Sequence, residues 1–185
     1  DPKKHYRDVL MQQGRVQLDA DWNEQAAVTA RRDETTASDI VGNCGGPADN
    51  AAFGIVTKTS GTTAVYSGGE QSNITAKAQQ EQQPAELSLI PPPPAGDFFL
   101  SAGRYYVDGI QCENEQPVLY TAQPDRLDVA ALTPGVIYLL YLEVWQRHIT
   151  ALEDGQIREP ALGGPDTGTR VKTIWQVRAL KIGAL

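Results

Sequence analysis

The sequence predicts an α+β protein in which a long N-terminal helix precedes a mostly antiparallel β-sandwich or barrel-like domain. Apolar and small residues recur at helical spacing across residues 21–41. Residues 136–145 form an apolar run typical of a strand, and residues 170–180 alternate between apolar and polar side chains. Residues 42–50, rich in Gly, Asn and Pro, separate the two regions as a turn-rich linker.

The chain is therefore predicted to consist of an N-terminal arm and helix over residues 1–42 and a β domain over residues 43–185. A length of 185 residues is enough for one domain with a packed core and an extended arm. Because the sequence starts at Asp1 without a methionine and stops directly after a strand-like run, we expect the protein to continue beyond residue 185.

The predicted helix starts at Asp21, whose carboxylate can accept hydrogen bonds from the unpaired N–H groups of the first turn. Glu24 stands three residues later, where it would complete a capping box. Asp19 is the alternative N-cap, and either residue places negative charge near the positive end of the helix dipole. Gly42 follows the last turn, as is typical of a helix C-terminus.

One face of this helix is apolar and mostly small. The middle of the helix, residues 29–38, is polar, and an isolated helix of this composition is marginally stable in water. It therefore requires a neighbour, which is either the β domain of its own chain or further copies of the helix. We expect Trp22 to be buried against one of these. We predict an assembly interface along the small face, formed by Trp22, Ala26, Ala30, Ala37 and Ile40.

The β domain is predicted to contain short strands separated by turns. A hairpin turn is expected near residues 101–103, and a second turn or a bulge at Asp108-Gly109. Residues 136–145 are predicted to be the central strand, covered on both faces and paired with residues 170–180. In chain order, the predicted strands are 53–59, 86–90, 98–100, 103–113, 117–120, 136–145 and 170–180, with a weak hairpin at 63–66.

The composition argues against a nucleic-acid or anionic-membrane partner. The chain has 16 Lys and Arg residues against 23 Asp and Glu residues, which gives a net charge of −7. Two small basic clusters, Lys3-Lys4 and Arg31-Arg32, are interpreted as solvent-exposed faces. No apolar run in the sequence reaches the length of a membrane span.

Neither cysteine has the spacing of a metal site. Cys44 and Cys112 lack a second cysteine or a histidine at metal-ligand spacing, so we predict no metal. A disulfide between the two cannot be deduced from sequence, and two reduced thiols in a cytoplasmic protein are favoured. The sequence contains no phosphate-binding loop and no dinucleotide motif, so no cofactor is predicted.

The long connection between the last two predicted strands, residues 149–169, is a further candidate for function, because long loops are often functional. A catalytic interpretation would use His148 as a general base beside a carboxylate of this loop. No Ser or Cys nucleophile motif surrounds His148, so a non-enzymatic role is favoured. In the alternative, arginines pair with acidic residues to fix the loop or to bind a neighbouring subunit: Arg147, Arg158 and Arg170 with Glu153, Glu159 and Asp166.

Three segments carry a resemblance to known proteins. They are KHYRDVLMQQGRVQLDADWNE at residues 4–24, YLLYLEVWQRHITALED at residues 138–154 and IREPALGGPDT at residues 157–167. These segments resemble a bacterial family of domains of unknown function that belongs to phage-tail-like contractile injection systems and prophage-like clusters. The resemblance covers nearly the whole chain and is weakest over residues 57–96.

The order of elements is also similar to that of attachment domains in phage baseplate and tail-fibre proteins. This resemblance implies a structural, non-enzymatic component that attaches a fibre or appendage to the baseplate and is assembled in the bacterial cytoplasm. The implied partners are other baseplate or fibre proteins and further copies of the chain, with a trimer favoured. Arg147, Arg158 and Asp166 join the helix residues as predicted interface positions. The alternative is the anchoring domain of a tailspike-type glycan-acting enzyme whose catalytic part lies beyond residue 185.

Overall fold

The computed structural model describes residues 2–57 and 92–184, and within them it confirms the α+β fold class. A single helix, α1 (Asp19–Val41), precedes strands that form three separate sheets, and these sheets do not close into a barrel. The predicted hairpin at 63–66 and strand at 86–90 lie outside the described residues. The described strands are β1 (Cys44–Gly45), β2 (Ile55–Val56), β3 (Phe99–Leu100), β4 (Gly103–Val107), β5 (Ile110–Asn114), β6 (Val118–Leu119), β7 (Val136–Ile149) and β8 (Arg170–Ala184).

The chain divides into two compact units. The helix unit contains Asp1–Gly45 together with the hairpin tip Tyr106–Gln111, and the sheet unit contains Gly46–Tyr105 and Cys112–Leu185. The described strands are arranged in the orders β1-β4-β5, β2-β3-β6 and β7-β8, and neighbouring strands are antiparallel.

Helix α1 begins two residues earlier than predicted. Its N-cap is Leu18, and the carboxylate of Asp21 accepts a hydrogen bond from the Leu18 N–H at 3.2 Å. A complete capping box needs a second hydrogen bond, to a side-chain acceptor on the N-cap residue. Leucine has no such acceptor, so only the hydrogen bond from the Leu18 N–H to Asp21 forms. The predicted N-cap role of Asp21 is therefore wrong, and so is the predicted role of Glu24 in the box. The helix ends as predicted, with the N–H of Gly42 bonded to Ser38 O at 2.8 Å.

The N-terminal arm runs back along α1. The N–H of Val9 donates to Gln25 Oε1 at 2.7 Å, in the second turn of the helix. A turn follows, in which the N–H of Arg15 donates to Gln12 O at 3.2 Å and Gly14 adopts φ 73°. The arm therefore contacts the second turn of α1 before it turns back to enter the first helical turn.

Hairpin β4–β5 turns at Asp108 and Gly109, which is the position of one of the two predicted turns. Both residues have positive φ, 49° and 81°, as the tight turns that suit a twisted hairpin require. The other predicted turn, at residues 101–103, is wrong, because the chain there crosses from one sheet to another. Buried Ser101 stabilises this crossover: its hydroxyl accepts from the Gly54 N–H at 2.9 Å and donates to Ala51 O at 3.2 Å.

Strands β7 and β8 pair along their whole length, as predicted, from Val136 opposite Ala184 to Ile149 opposite Arg170. The prediction that β7 is a central strand covered on both faces is wrong. Within the described residues β7 pairs only with β8, and one face of its first half is exposed at Ile137, Leu139 and Tyr141. An apolar run is equally compatible with a strand whose second face is uncovered in the single chain.

The centre of β8 lies in the core of the sheet unit. Ile174, Trp175 and Val177 are buried there, and the indole N–H of Trp175 donates to Glu113 O at 2.8 Å. The ring of Phe53 lies edge-on to Trp175, with centroids 4.7 Å apart. Trp175 thus lies in the core, whereas Trp145 on the partner strand is only half-buried.

A buried glutamine bonds to the edge of β8 that faces away from β7. Gln123 Oε1 accepts from the N–H of Val177 at 2.6 Å, and Gln123 Nε2 donates to Val177 O at 3.0 Å and to Tyr120 O at 2.8 Å. Arg126 Nη1 also donates to Val177 O, at 2.6 Å. The amide of Gln123 thus supplies the donor and the acceptor that a neighbouring strand would supply.

Replacing Gln123 by Met keeps the size of the side chain and removes its hydrogen bonds. We expect Gln123→Met to lower the free energy of unfolding by about 1–3 kcal/mol, because the buried N–H of Val177 loses its acceptor. Urea denaturation measures the change. Gln116→Met, at an exposed position, is the control and should be nearly neutral. Equal losses in the two variants would show that the Gln123 amide does not stabilise the edge of β8.

A glycine at the hairpin tip allows close approach to α1. A Cβ on Gly109 would lie 2.0 Å from the carbonyl oxygen of Glu34, whereas a Cβ on Gly135 would meet nothing within 4 Å. Both glycines have similar positive φ, 81° and 75°. Gly135→Ala should therefore show the backbone cost alone, about 1–2 kcal/mol. Gly109→Ala should cost about 1–3 kcal/mol more, since backbone atoms must shift. Similar urea midpoints for the two variants would contradict contact between the hairpin tip and α1.

Candidate functional site: exposed surfaces of the helix unit

The predicted interface residues of α1 form a surface that the single chain leaves uncovered. Trp22 is 66% exposed and Ile40 is 79% exposed, and Ala26 and Ala30 between them are exposed as well. Ala37 is half-buried. Burial of Trp22 by its own chain, one of the two predicted alternatives, is therefore wrong, and burial against another chain stays a prediction. We call the surface formed by Trp22, Ala26, Ala30, Ala37 and Ile40 the helix stripe.

The chain covers other parts of the helix surface. The half-buried positions include Gln25 and Val28 in the first half of the helix, and Glu34 and Ser38 nearer its end. The first pair lies near the point where the arm is anchored at Gln25, and Glu34 contacts the hairpin tip. Even so, no described residue of α1 is buried. A helix of 23 residues with no buried position depends on its surroundings for most of its stability.

Further apolar side chains are exposed in the arm. Leu10 and Val16 are almost fully exposed, and Tyr6, Met11 and Leu18 are each more than half exposed. Single exposed apolar residues are normal, but a segment in which most apolar side chains are exposed is typical of an interaction surface. The arm and the helix stripe together therefore give the helix unit a large apolar surface in contact with water.

The second set of predicted interface residues lies on the connection between β7 and β8. The guanidinium of Arg147 pairs with Glu153, as predicted, but Arg158 and Arg170 form no ion pair with a described residue. Arg158 and Asp166 face each other in an antiparallel backbone bridge, and both are exposed. Asp154 and Glu159 accept hydrogen bonds from the backbone N–H groups of Gln156 and Ala161. These contacts of Glu153, Asp154 and Glu159 stabilise the conformation of the loop.

His148, the candidate general base, lies at the exposed end of β7. Its Nε2 atom is 2.5 Å from the Thr169 hydroxyl, and no carboxylate contact to His148 occurs in the described part of the chain. Glu153, a carboxylate proposed for it, is instead paired with Arg147. The structure therefore does not assemble the acid–base pair that the catalytic interpretation required. Among the residues in view, no group of three or more His, Cys, Asp or Glu side chains could hold a metal ion.

A basic cavity in the helix unit joins two segments that the sequence analysis treated separately. An open cavity of about 380 Å³ is lined by His5, Tyr6, Arg7, Arg31 and Arg32. The interpretation of Arg31-Arg32 as an isolated solvated face missed this grouping, because only the reversal of the arm at residues 12–15 brings the arm beside the helix. The signal available in the sequence was the run of basic residues around Tyr6 at residues 3–7.

The two cysteines differ in exposure. Cys44 is exposed and Cys112 is buried, and they are not joined by a disulfide. Burial raises the pKa of the Cys112 thiol from its ordinary value of 9.0 to about 11. The reactive thiolate form of Cys112 is therefore scarce at neutral and mildly alkaline pH.

The fold and these surfaces define a class: an α+β domain with one long helix, three antiparallel sheets and an uncovered apolar helix face. Among the described helices, none is long and apolar enough to span a bilayer. The chain belongs to a family of unknown function (DUF6519), whose profile matches residues 1–185. No curated protein and no solved structure matches the chain.

Thiol labelling should separate the two cysteines. At pH 8, we expect maleimide to modify Cys44 rapidly and to leave Cys112 unmodified until the protein is unfolded, because burial restricts access and keeps the thiol protonated. Mass spectrometry of the intact protein measures the number of adducts. Cys44→Ser is the matched control and should give no adduct before denaturant is added. One rapid adduct on that variant would show that Cys112 is accessible.

Proposed function

We propose that this chain is a structural domain of a contractile injection system or phage-like tail, in which it attaches a fibre or appendage to the baseplate. It would be assembled in the bacterial cytoplasm and would contact other baseplate or fibre proteins. The observation that carries the proposal is that α1 contains no buried residue and exposes Trp22 and Ile40 at the two ends of the helix stripe. The assignment to this type of particle rests on the resemblance of residues 4–24 and 138–167 to the family from contractile injection systems.

The helix stripe favours association between copies of the chain. Burying a large apolar side chain contributes about 1.5–3 kcal/mol, so contacts at Trp22 and Ile40 would stabilise both the helix and the assembly. The alanines between them permit close approach of helix backbones. Asp33 also lies on this side of the helix and is exposed, which disfavours a tight seam at the middle. We therefore propose an oligomer, with a trimer favoured, that packs at the ends of the stripe.

The open end of the β7–β8 ribbon is a second surface for contact within a particle. Leu139 is 52% exposed, and Leu180, directly opposite in the register, is 53% exposed. Ile137 and Tyr141 lie on the same face, and each is more than one-third exposed. Apolar cross-strand pairs normally stabilise a sheet by packing together and being covered. We propose that other baseplate or fibre proteins bind here.

Substitutions on the helix stripe test self-association separately from folding. Trp22→Ala should weaken the oligomer at least tenfold, because large aromatic residues contribute much of the binding energy at protein interfaces. It should change the unfolding free energy of the monomer by only about 0.5 kcal/mol, because Trp22 is exposed in the single chain. Sedimentation equilibrium measures the association constant, and urea denaturation at low protein concentration measures the stability.

Ala30→Glu introduces a charge into the stripe and should also dissociate the oligomer. Thr35→Glu is the matched control, since Thr35 is exposed and lies five residues on, about 140° around the helix axis. It should leave association unchanged. A wild-type chain that stays monomeric at high micromolar concentration, or equal effects of the two glutamates, would contradict packing through the stripe. A cryo-EM map of the intact particle would then test the position of the chain at the baseplate.

A further inference from the structure

The basic cavity contains a concentration of positive charge that the composition of the chain does not suggest. The net charge of the protein is −7, yet three arginines and a histidine line one cavity of about 380 Å³. The cavity-lining residues include no Asp or Glu. Lys4 adds further positive charge nearby, since its Nζ atom lies 5.7 Å from the centroid of the Tyr6 ring.

The described part of the chain neutralises the arginines of the cavity poorly. Arg31 and Arg32 form no ion pair with any other described residue. Arg7 approaches Asp8, with Nε and Oδ2 3.4 Å apart, but both side chains are largely exposed and such a pair is weak. Like charges held together repel each other, so the cavity is electrostatically prepared for an anion.

The side chains that line the cavity favour one class of anion. Guanidinium groups are planar and can form two parallel hydrogen bonds to one phosphate or carboxylate, while the Tyr6 hydroxyl and the imidazole of His5 can add single donors. A phosphate offers more oxygen atoms and more charge than a carboxylate, so it can bind several arginines at once. The cavity volume lies in the range of small-molecule sites, which is larger than one phosphate group requires.

We propose that this cavity binds a small phosphorylated molecule or an inorganic oligophosphate, with Arg31 and Arg32 as its main ligands. Arg7, His5 and Tyr6 contact the same ligand from the arm. This inference does not depend on the proposed role in a particle, because it rests on different residues.

Inorganic pyrophosphate is the probe, titrated into the full 185-residue chain at low ionic strength and followed by isothermal titration calorimetry. We expect saturable binding with one site per chain. The double variant Arg31→Gln, Arg32→Gln should bind at least tenfold more weakly. Arg15→Gln is the matched control, since Arg15 lies in the same unit, is exposed and does not line the cavity. Circular dichroism verifies that the helix is retained in each variant.

Competing ligands decide between this proposal and two others. A hexaglutamate peptide that binds as tightly as pyrophosphate would overturn the preference for phosphate and indicate an acidic protein segment. A single-stranded oligonucleotide that binds more than tenfold tighter, with the same dependence on Arg31 and Arg32, would overturn the small-molecule ligand. Absence of saturable pyrophosphate binding, or equal loss in Arg15→Gln, would overturn the site itself. Sedimentation of the same variants reports separately on association through the helix stripe.

Discussion

The hydrogen bonds between the Gln123 amide and Val177 set the arrangement of the sheet unit. Val177 lies in the buried centre of β8, and the glutamine occupies the edge of β8 where another strand could pair. Strand β7 is therefore the only described strand that pairs with β8. A buried polar side chain, rather than a further strand, occupies the second edge of β8.

The helix unit is held together by fewer contacts. Its described anchors include the hydrogen bond from Val9 to Gln25 and the approach of Gly109 to the backbone of Glu34, and neither buries an apolar side chain of α1. Hydrophobic burial is the main favourable contribution to folding, so a helix without it gains little from its own chain. Association with another molecule would add the missing burial. The same feature that makes α1 marginal alone thus makes it suitable for assembly.

Sequence patterns predicted the parts of this fold that depend on local rules. Helical spacing located α1, alternation located β8, and Asp108-Gly109 located the hairpin turn, because each depends on residues close in the chain. The predictions that failed concern contacts between residues far apart in the chain. The residues around Ser101 read as a turn, but bonds to Ala51 and Gly54 make them a crossover between sheets. The basic cavity was missed for the same reason, since its two halves are separated by more than twenty residues.

The two proposed surfaces of α1 are compatible with each other because of helical geometry. The residues of the helix stripe span about 80° of the helix circumference, and Arg31 and Arg32 lie about 140° and 120° from the middle of that span. A ligand in the basic cavity would therefore leave the helix stripe accessible. The distance also limits repulsion between arginines of associated copies, because a helix with its side chains is about 10–12 Å across. That is similar to the screening length at physiological salt, about 8 Å. Neutralisation of the cavity by an anion would reduce the remaining repulsion, so ligand binding and assembly would favour each other weakly.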